Sequence, residues 1–293
     1  MTLKERLDAY ERLMRLDKPI GALLLLWPAL WALWLAKYGI PDLDILAIFV
    51  VAVVLTRSAG CIINDYADRN FDPHVERTRD RPLAAGEISP GEALKLAGVL
   101  LLLSFVLALL LKSWLAVALS FVALALIVIY PFLKRFFILP QAWLGIAFGF
   151  SIPMAYAAQY SKLVTVTWVL LLANIFWALA YDTEYAMVDR DDDMKLGLKS
   201  SAILLGGCDV TGVMVAHGLF LLTMFYVGYS QFLGVLYYVA LGAAAGLVLH
   251  QYRLIKDRTR ESCFKAFLNN NWVGLVIWVG IVLDLYFRIR IFK

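Results

Sequence analysis

The chain has 293 residues, 62% of them hydrophobic and 17% charged, against about 45–50% and 25% in an average soluble domain. That balance excludes a disordered chain and argues against one large soluble domain. The net charge of +4 is too small to point to nucleic acid. Cys61, Cys208 and Cys263 lie too far apart for a disulfide framework or a short-spaced zinc site.

In chain order, residues 1–18 come first, charged and amphipathic, with Leu3, Leu7, Tyr10, Leu13 and Met14 among acidic and basic neighbours. They lack the layout of a cleaved signal peptide, and a retained helix lying along the membrane surface is expected. Nine apolar runs follow, at about 19–37, 43–63, 93–111, 114–130, 138–157, 164–181, 210–229, 232–250 and 271–289. Each approaches the roughly 17–25 residues of a membrane span. In lipid, apolar runs of this length satisfy their backbone groups only as helices. The expectation is an all-α integral membrane protein, residues 1–293 forming one membrane domain of nine transmembrane helices. Most Lys and Arg fall at the N-terminus and in the loops 64–92, 131–137, 182–209 and 251–270. By the positive-inside rule that side is cytoplasmic. Arg288, Arg290 and Lys293, on the other side, run against the rule.

Two of these loops concentrate acid groups. At the end of the second run, Asn64, Asp68 and Asp72 fall at i, i+4 and i+8. On a helix each four-residue step turns the side chain by only about 40°, so the three share a face over roughly 12 Å, and Asp65 points elsewhere. At the end of the sixth run, Tyr185, Asp189 and Asp193 repeat the spacing, with Asp182 near the same face and Asp191 and Asp192 off it. Clustered carboxylates repel one another unless a cation neutralises them. An oxygen-only donor set favours Mg²⁺ or Ca²⁺, and Mg²⁺ characteristically adds substrate phosphate to one or two carboxylates. A solvated acidic loop is the bland alternative, and two stripes of matching period weaken it. Cations stand close by: Arg77, Arg79 and Arg81 after the first stripe, Lys195 and Lys199 after the second, and Tyr130, Lys134 and Arg135 at the fourth run's mouth. Such groups bind phosphate oxygens. The positive-inside rule alone accounts for Arg253, Lys256, Arg258 and Arg260.

Asn64-Asp65-x-x-Asp68-x-x-x-Asp72 with Arg77-Thr78-Arg79-Asp80-Arg81-Pro82-Leu83, and Tyr181-Asp182-Thr183-Glu184-Tyr185 through Asp193 with Lys199-Ser200, resemble the two signatures of the UbiA superfamily of intramembrane aromatic prenyltransferases. The segments 16–21, 130–135, 263–267 and 269–271 resemble the branch that prenylates 4-hydroxybenzoate in ubiquinone biosynthesis. The resemblance implies nine helices around a central cavity with a polar cytoplasmic cap, in a bacterial inner membrane. It implies Mg²⁺ held by Asn64, Asp68 and Asp72 on one side and Asp189 and Asp193 on the other, the four aspartates being catalytic. A polyprenyl diphosphate would be bound there with help from Tyr130, Lys134, Arg77, Arg81 and Lys199. The acceptor would be 4-hydroxybenzoate, its carboxylate paired with an arginine: Arg15, Arg57 or Arg135. Arg57 lies inside a predicted span, where snorkelling to the nearby membrane surface is the plain alternative. A prenyltransferase for another aromatic acceptor, or a cation-coupled transporter, are the rival readings. Transport sites lie near the bilayer midplane, whereas these acids lie at span ends. His74 reads as a solvated loop residue. His217 and His250 read as structural, and the cysteines as reduced packing residues. Trp27, Trp31 and Trp34 share a helix face that packs or meets lipid.

Overall fold

The computed structural model describes residues 2–74, 78–133, 137, 139–195 and 197–291, without the side chains of 74 and 289–291. Its regular structure is helical throughout the described residues. Helix α1 (Leu3–Met14) opens with a reciprocal cap, the Thr2 hydroxyl accepting from the Glu5 amide and the Glu5 carboxylate accepting from the Thr2 amide. It buries Ala9 and Leu13 and leaves Leu3 and Leu7 exposed. Its buried face packs with Ile62, Ile88 and Ala93.

Helices α2 (Ile20–Lys37), α3 (Leu43–Asp68), α4 (Pro90–Leu110), α5 (Trp114–Leu133), α8 (Thr165–Lys195), α10 (Asp209–Ser230), α11 (Val235–Ile255) and α12 (Arg260–Ile291) carry the long apolar stretches. Eight segments of the described residues are long and apolar enough to cross a bilayer. The run at 138–157 is not one continuous helix. It is α6 (Pro140–Gly149) and α7 (Ser151–Tyr160), parted at Phe150. Pro153 lacks the N–H that would bond back to Gly149, which explains a break there. A short α9 (Ser201–Leu205) leads into α10.

The core centres on α2. Trp27, Trp31 and Trp34 are each at most 8% exposed, so this stripe packs inward. Trp31 lies 5.1 Å from Trp177 and 6.1 Å from Phe220, centroid to centroid, and its indole N–H donates to the Gly274 carbonyl at 3.1 Å. Gly274 permits the approach of α12 to α2: a Cβ there would lie 2.4 Å from the Trp27 ring. Around this core α8 packs on α10, α6 and α12, and α4 packs along α3. That arrangement brings the ends of α3 and α8 to one cavity.

Candidate active site

A cavity of about 1380 Å³ lies between α2, α3, α4, α5, α6 and α8. Asn64, Asp68 and Asp72 line it from one side, and Asp182, Tyr185, Asp189 and Asp193 from α8. Helix α8 runs to Lys195, so its stripe is helical along its whole length, as the spacing predicts. The first stripe departs from a continuous helix. Helix α3 ends at Asp68, and Asp72 opens a 3-10 turn, Asp72–His74. The Phe71 amide bonds back to the Asp68 carbonyl at 2.7 Å, which tightens the turn. Asp68 and Asp72 are nonetheless both buried, and the Asn64 amide donates to Asp68 Oδ2 at 3.3 Å.

Asp72 has a cationic partner, Arg81, whose Nη1 donates to its Oδ2 at 2.9 Å. The Thr78 hydroxyl also donates to the Asp72 carbonyl at 2.9 Å. Burial pushes the Asp72 carboxyl above the ordinary range, Arg81 pulls it back, and the charges of Asp65 and Asp68 push it further up. A divalent ion beside it would reverse that balance. Among the described residues no group of three or more His, Cys, Asp or Glu side chains closes into a cage for a metal. The donors present are all oxygens and fit an ion such as Mg²⁺.

Of the other predicted site residues, Tyr130, Arg81, Lys199, Arg15 and Arg57 all line this cavity. Arg77, Lys134 and Arg135 lie outside the described residues. Arg57 turns into the cavity. Its Nη1 donates to Cys61 Sγ at 2.7 Å, its guanidinium lies 5.8 Å from the Phe148 ring centroid, and its buried Nε has no hydrogen-bond partner among the described residues. Gly21 makes room for it, since a Cβ there would lie 2.3 Å from that Nε. Arg15 is committed instead to Asp65, donating to both carboxylate oxygens at 3.0 and 2.9 Å.

Sequence reasoning overlooked two residues. Asp65 faces off the stripe, as expected, yet lines the cavity and joins Arg15 to Arg81. Arg260, assigned to topology alone, also lines the cavity and donates to Asp191 and Asp192; no pattern in the sequence links positions so far apart. His217 is fully buried with Nε2 3.7 Å from Glu184, a pairing outside the cavity lining. The His74 side chain lies outside the described residues, and His250 is exposed. Cys61 and Cys263 are buried and unbridged, and Cys208 is exposed.

Away from the charged end the lining is apolar, with Phe49, Val53, Leu102, Phe105, Phe121 and Leu124. Phe105 of α4 and Phe121 of α5 pack with centroids 5.3 Å apart. Leu102 and Phe121 remain 62% and 59% exposed.

Known proteins resemble this chain along its whole length. The pattern of the UbiA prenyltransferase family matches residues 25–275. A 4-hydroxybenzoate octaprenyltransferase of Nitrosospira multiformis is 61% identical over 98% of this chain and 99% of its own. The protein of that name from an Azoarcus species is 58% identical over 97% and 99%. Among solved structures, an apo UbiA homolog from Aeropyrum pernix K1 is 27% identical, covering 90% of this chain and 98% of its own at a TM-score of 0.80. A UbiA homolog from Archaeoglobus fulgidus bound to GPP and Mg²⁺ is 17% identical, covering 95% and 99% at a TM-score of 0.69, a likeness of fold.

Proposed function

The chain belongs to the UbiA prenyltransferase family, and from that premise we propose that it transfers a polyprenyl group from polyprenyl diphosphate to 4-hydroxybenzoate. The new bond forms at the ring carbon beside the hydroxyl, and diphosphate leaves. The observation that carries this reading is one cavity lined by both aspartate-bearing helix ends and continued by an apolar chamber. Acids at helix ends, not at mid-span, favour this over transport. The names of the 61% and 58% identical relatives support 4-hydroxybenzoate as acceptor and an eight-unit prenyl tail.

In this reading Asn64, Asp68 and Asp72, with Asp189 and Asp193, hold Mg²⁺. When bound, Mg²⁺ supplies positive charge that stabilises the departing diphosphate. Arg81 and Lys199, with Arg77 and Lys134, bind phosphate oxygens, and the Tyr130 hydroxyl donates to one of them. The carbon–oxygen bond breaks as negative charge gathers on the diphosphate. Aromatic side chains of the cavity lining exclude water from the allylic cation, and ring faces stabilise it by about 0.5–2 kcal/mol each. The electron-rich carbon beside the phenol oxygen attacks, and loss of its proton restores aromaticity. Arg57 receives the acceptor carboxylate: its buried Nε lacks a partner among the described residues, whereas Arg15 is held by Asp65. The tail lies among Leu102, Phe121 and Leu124 and passes sideways into lipid, which favours each methylene by about 0.8 kcal/mol.

The whole chain acts as one membrane domain in a bacterial inner membrane, its N-terminus, charged loops and cavity mouth on the cytoplasmic side. The test is to incubate purified protein with Mg²⁺, a polyprenyl diphosphate and a panel of aromatic acids, and to weigh the products. Prenylated 4-hydroxybenzoate, formed only with Mg²⁺, is expected. A different acid preferred from the panel, or no product, would overturn the reading.

A further inference from the structure

Asp65 follows Asn64 and sits about 100° further round α3. The residue is 1% exposed, and its carboxylate meets two guanidinium groups. Arg15 Nη2 donates to Oδ1 and Oδ2 at 3.0 and 2.9 Å, and Arg81 Nη1 donates to Oδ1 at 3.0 Å. The same Arg81 nitrogen donates to Asp72 Oδ2 at 2.9 Å. A ladder of alternating charge therefore runs Arg15, Asp65, Arg81, Asp72, from the end of α1 to the first acidic half-site. The αL turn at Arg15, φ 57°, aims this side chain from the corner between the surface helix and the first span. Contacts of Arg6 and Tyr10 with Glu92, and of Arg12 with Glu87, hold α1 in place.

The proposed function asks Asp72 to hold a divalent cation and Arg81 to hold phosphate, yet here the two hold each other. A cation at Asp72 Oδ2 and a guanidinium on the same oxygen repel one another. Arg81 must leave that oxygen when the ion arrives and must still remain at the cavity. We propose that Asp65 is a positioning residue that makes this exchange work, retaining Arg81 when Asp72 passes to the cation. Arg15 is the second half of the device. By sharing the Asp65 carboxylate it keeps Asp65 from taking Arg81 wholly to itself, so Arg81 still covers Asp72 until the cation arrives. This inference rests on the roles proposed above for Asp72 and Arg81.

Asp65→Asn keeps the shape and removes the charge. Arg81 is then left with Asp72, where it competes with the cation. Arg15→Gln does the opposite: Asp65 turns wholly to Arg81, draws it from Asp72 and eases cation entry. Purified full-length protein in detergent is titrated with Mg²⁺ at fixed inorganic pyrophosphate, and thermal unfolding is followed by tryptophan fluorescence. The Mg²⁺ midpoint for stabilisation rises roughly tenfold in Asp65→Asn, the scale of one charge-assisted hydrogen bond. It falls in Arg15→Gln. In turnover, Asp65→Asn raises KM for the prenyl diphosphate by a similar factor and leaves kcat at saturating Mg²⁺ within about threefold. Glu92→Gln, which loosens α1 at its far end, leaves the midpoint unchanged. If Asp65 merely fastened α1, Asp65→Asn, Arg15→Gln and Glu92→Gln would move together. That result, or a wild-type midpoint in folded Asp65→Asn, overturns the proposal. Should Asp65→Asn fail to fold, a midpoint in Arg15→Gln at or above wild type overturns it as well. Absence of any Mg²⁺-pyrophosphate stabilisation in the wild type would instead remove the assigned roles of Asp72 and Arg81, and this inference with them.

Discussion

Gly21→Ala separates the acceptor role proposed for Arg57 from the stability of the fold. A Cβ at position 21 would lie 2.3, 2.4 and 2.7 Å from Arg57 Nε, Nη2 and Cζ. The obstacle is the far end of a flexible side chain, so the guanidinium moves and the backbone stays. Leaving the Phe148 face and the Cys61 sulfur forfeits about 0.5–1 kcal/mol of cation–π attraction and a weak hydrogen bond to sulfur. Alanine in place of glycine within a helix returns about 0.5–1 kcal/mol. The two nearly cancel, and the thermal midpoint in detergent should shift by only a few degrees. Catalysis should not be spared. Loss of a charge-assisted hydrogen bond to the acceptor carboxylate costs about 1.5–3 kcal/mol, a rise in acceptor KM of roughly tenfold to a hundredfold. The assay is initial rate against 4-hydroxybenzoate at saturating prenyl diphosphate, then the converse. An unchanged acceptor KM, or equal rises in both KM values, would refute the assignment of Arg57.

Trp31→Ala should cost about 3–5 kcal/mol, because the indole is fully buried between Trp177 and Phe220; denaturant unfolding reads the loss, and a cost below about 1 kcal/mol would mean the centre of the core is misassigned. Asp72 titrates above the usual carboxylate range because it is buried. Its contribution to the stability of the metal-free protein is therefore present at low pH and lost as pH rises through the raised pKa. The Mg²⁺-induced rise in thermal midpoint should accordingly be larger at pH 7.5 than at about pH 5, where protons compete with the ion. Asp72→Asn should flatten that difference, and a wild-type pH dependence in the variant would contradict it. Phe121→Ala should raise KM for an octaprenyl diphosphate more than for a short-tailed one; equal changes would place the ring outside the tail's path.

The spans were legible because lipid demands long apolar helices, and eight of them stand at or near the predicted places. The α8 stripe was legible because its helix simply continues to Lys195. The first stripe was legible in composition but not in shape: helix periodicity gave no warning that α3 stops at Asp68 and that a turn delivers Asp72. The break at Phe150 hides in an apolar run whose only clue is Pro153. Whether Arg57 turned inward or toward the membrane surface depended on Gly21 and Phe148, which pattern does not connect to it. The helix period places Asp65 off the stripe, but its partner Arg15 is fifty positions away in the chain. Charge pairing over such distances belongs to packing and leaves no period behind.

In the proposed reaction the acid groups at the ends of α3 and α8 act together on one diphosphate. Mg²⁺-dependent turnover of purified Asp68→Asn and Asp189→Asn tests it most directly, with thermal unfolding run alongside to certify the fold. Each variant should remain folded and lose prenyl transfer, and the double variant should lose little more than either alone. Full activity in either single variant would contradict the account.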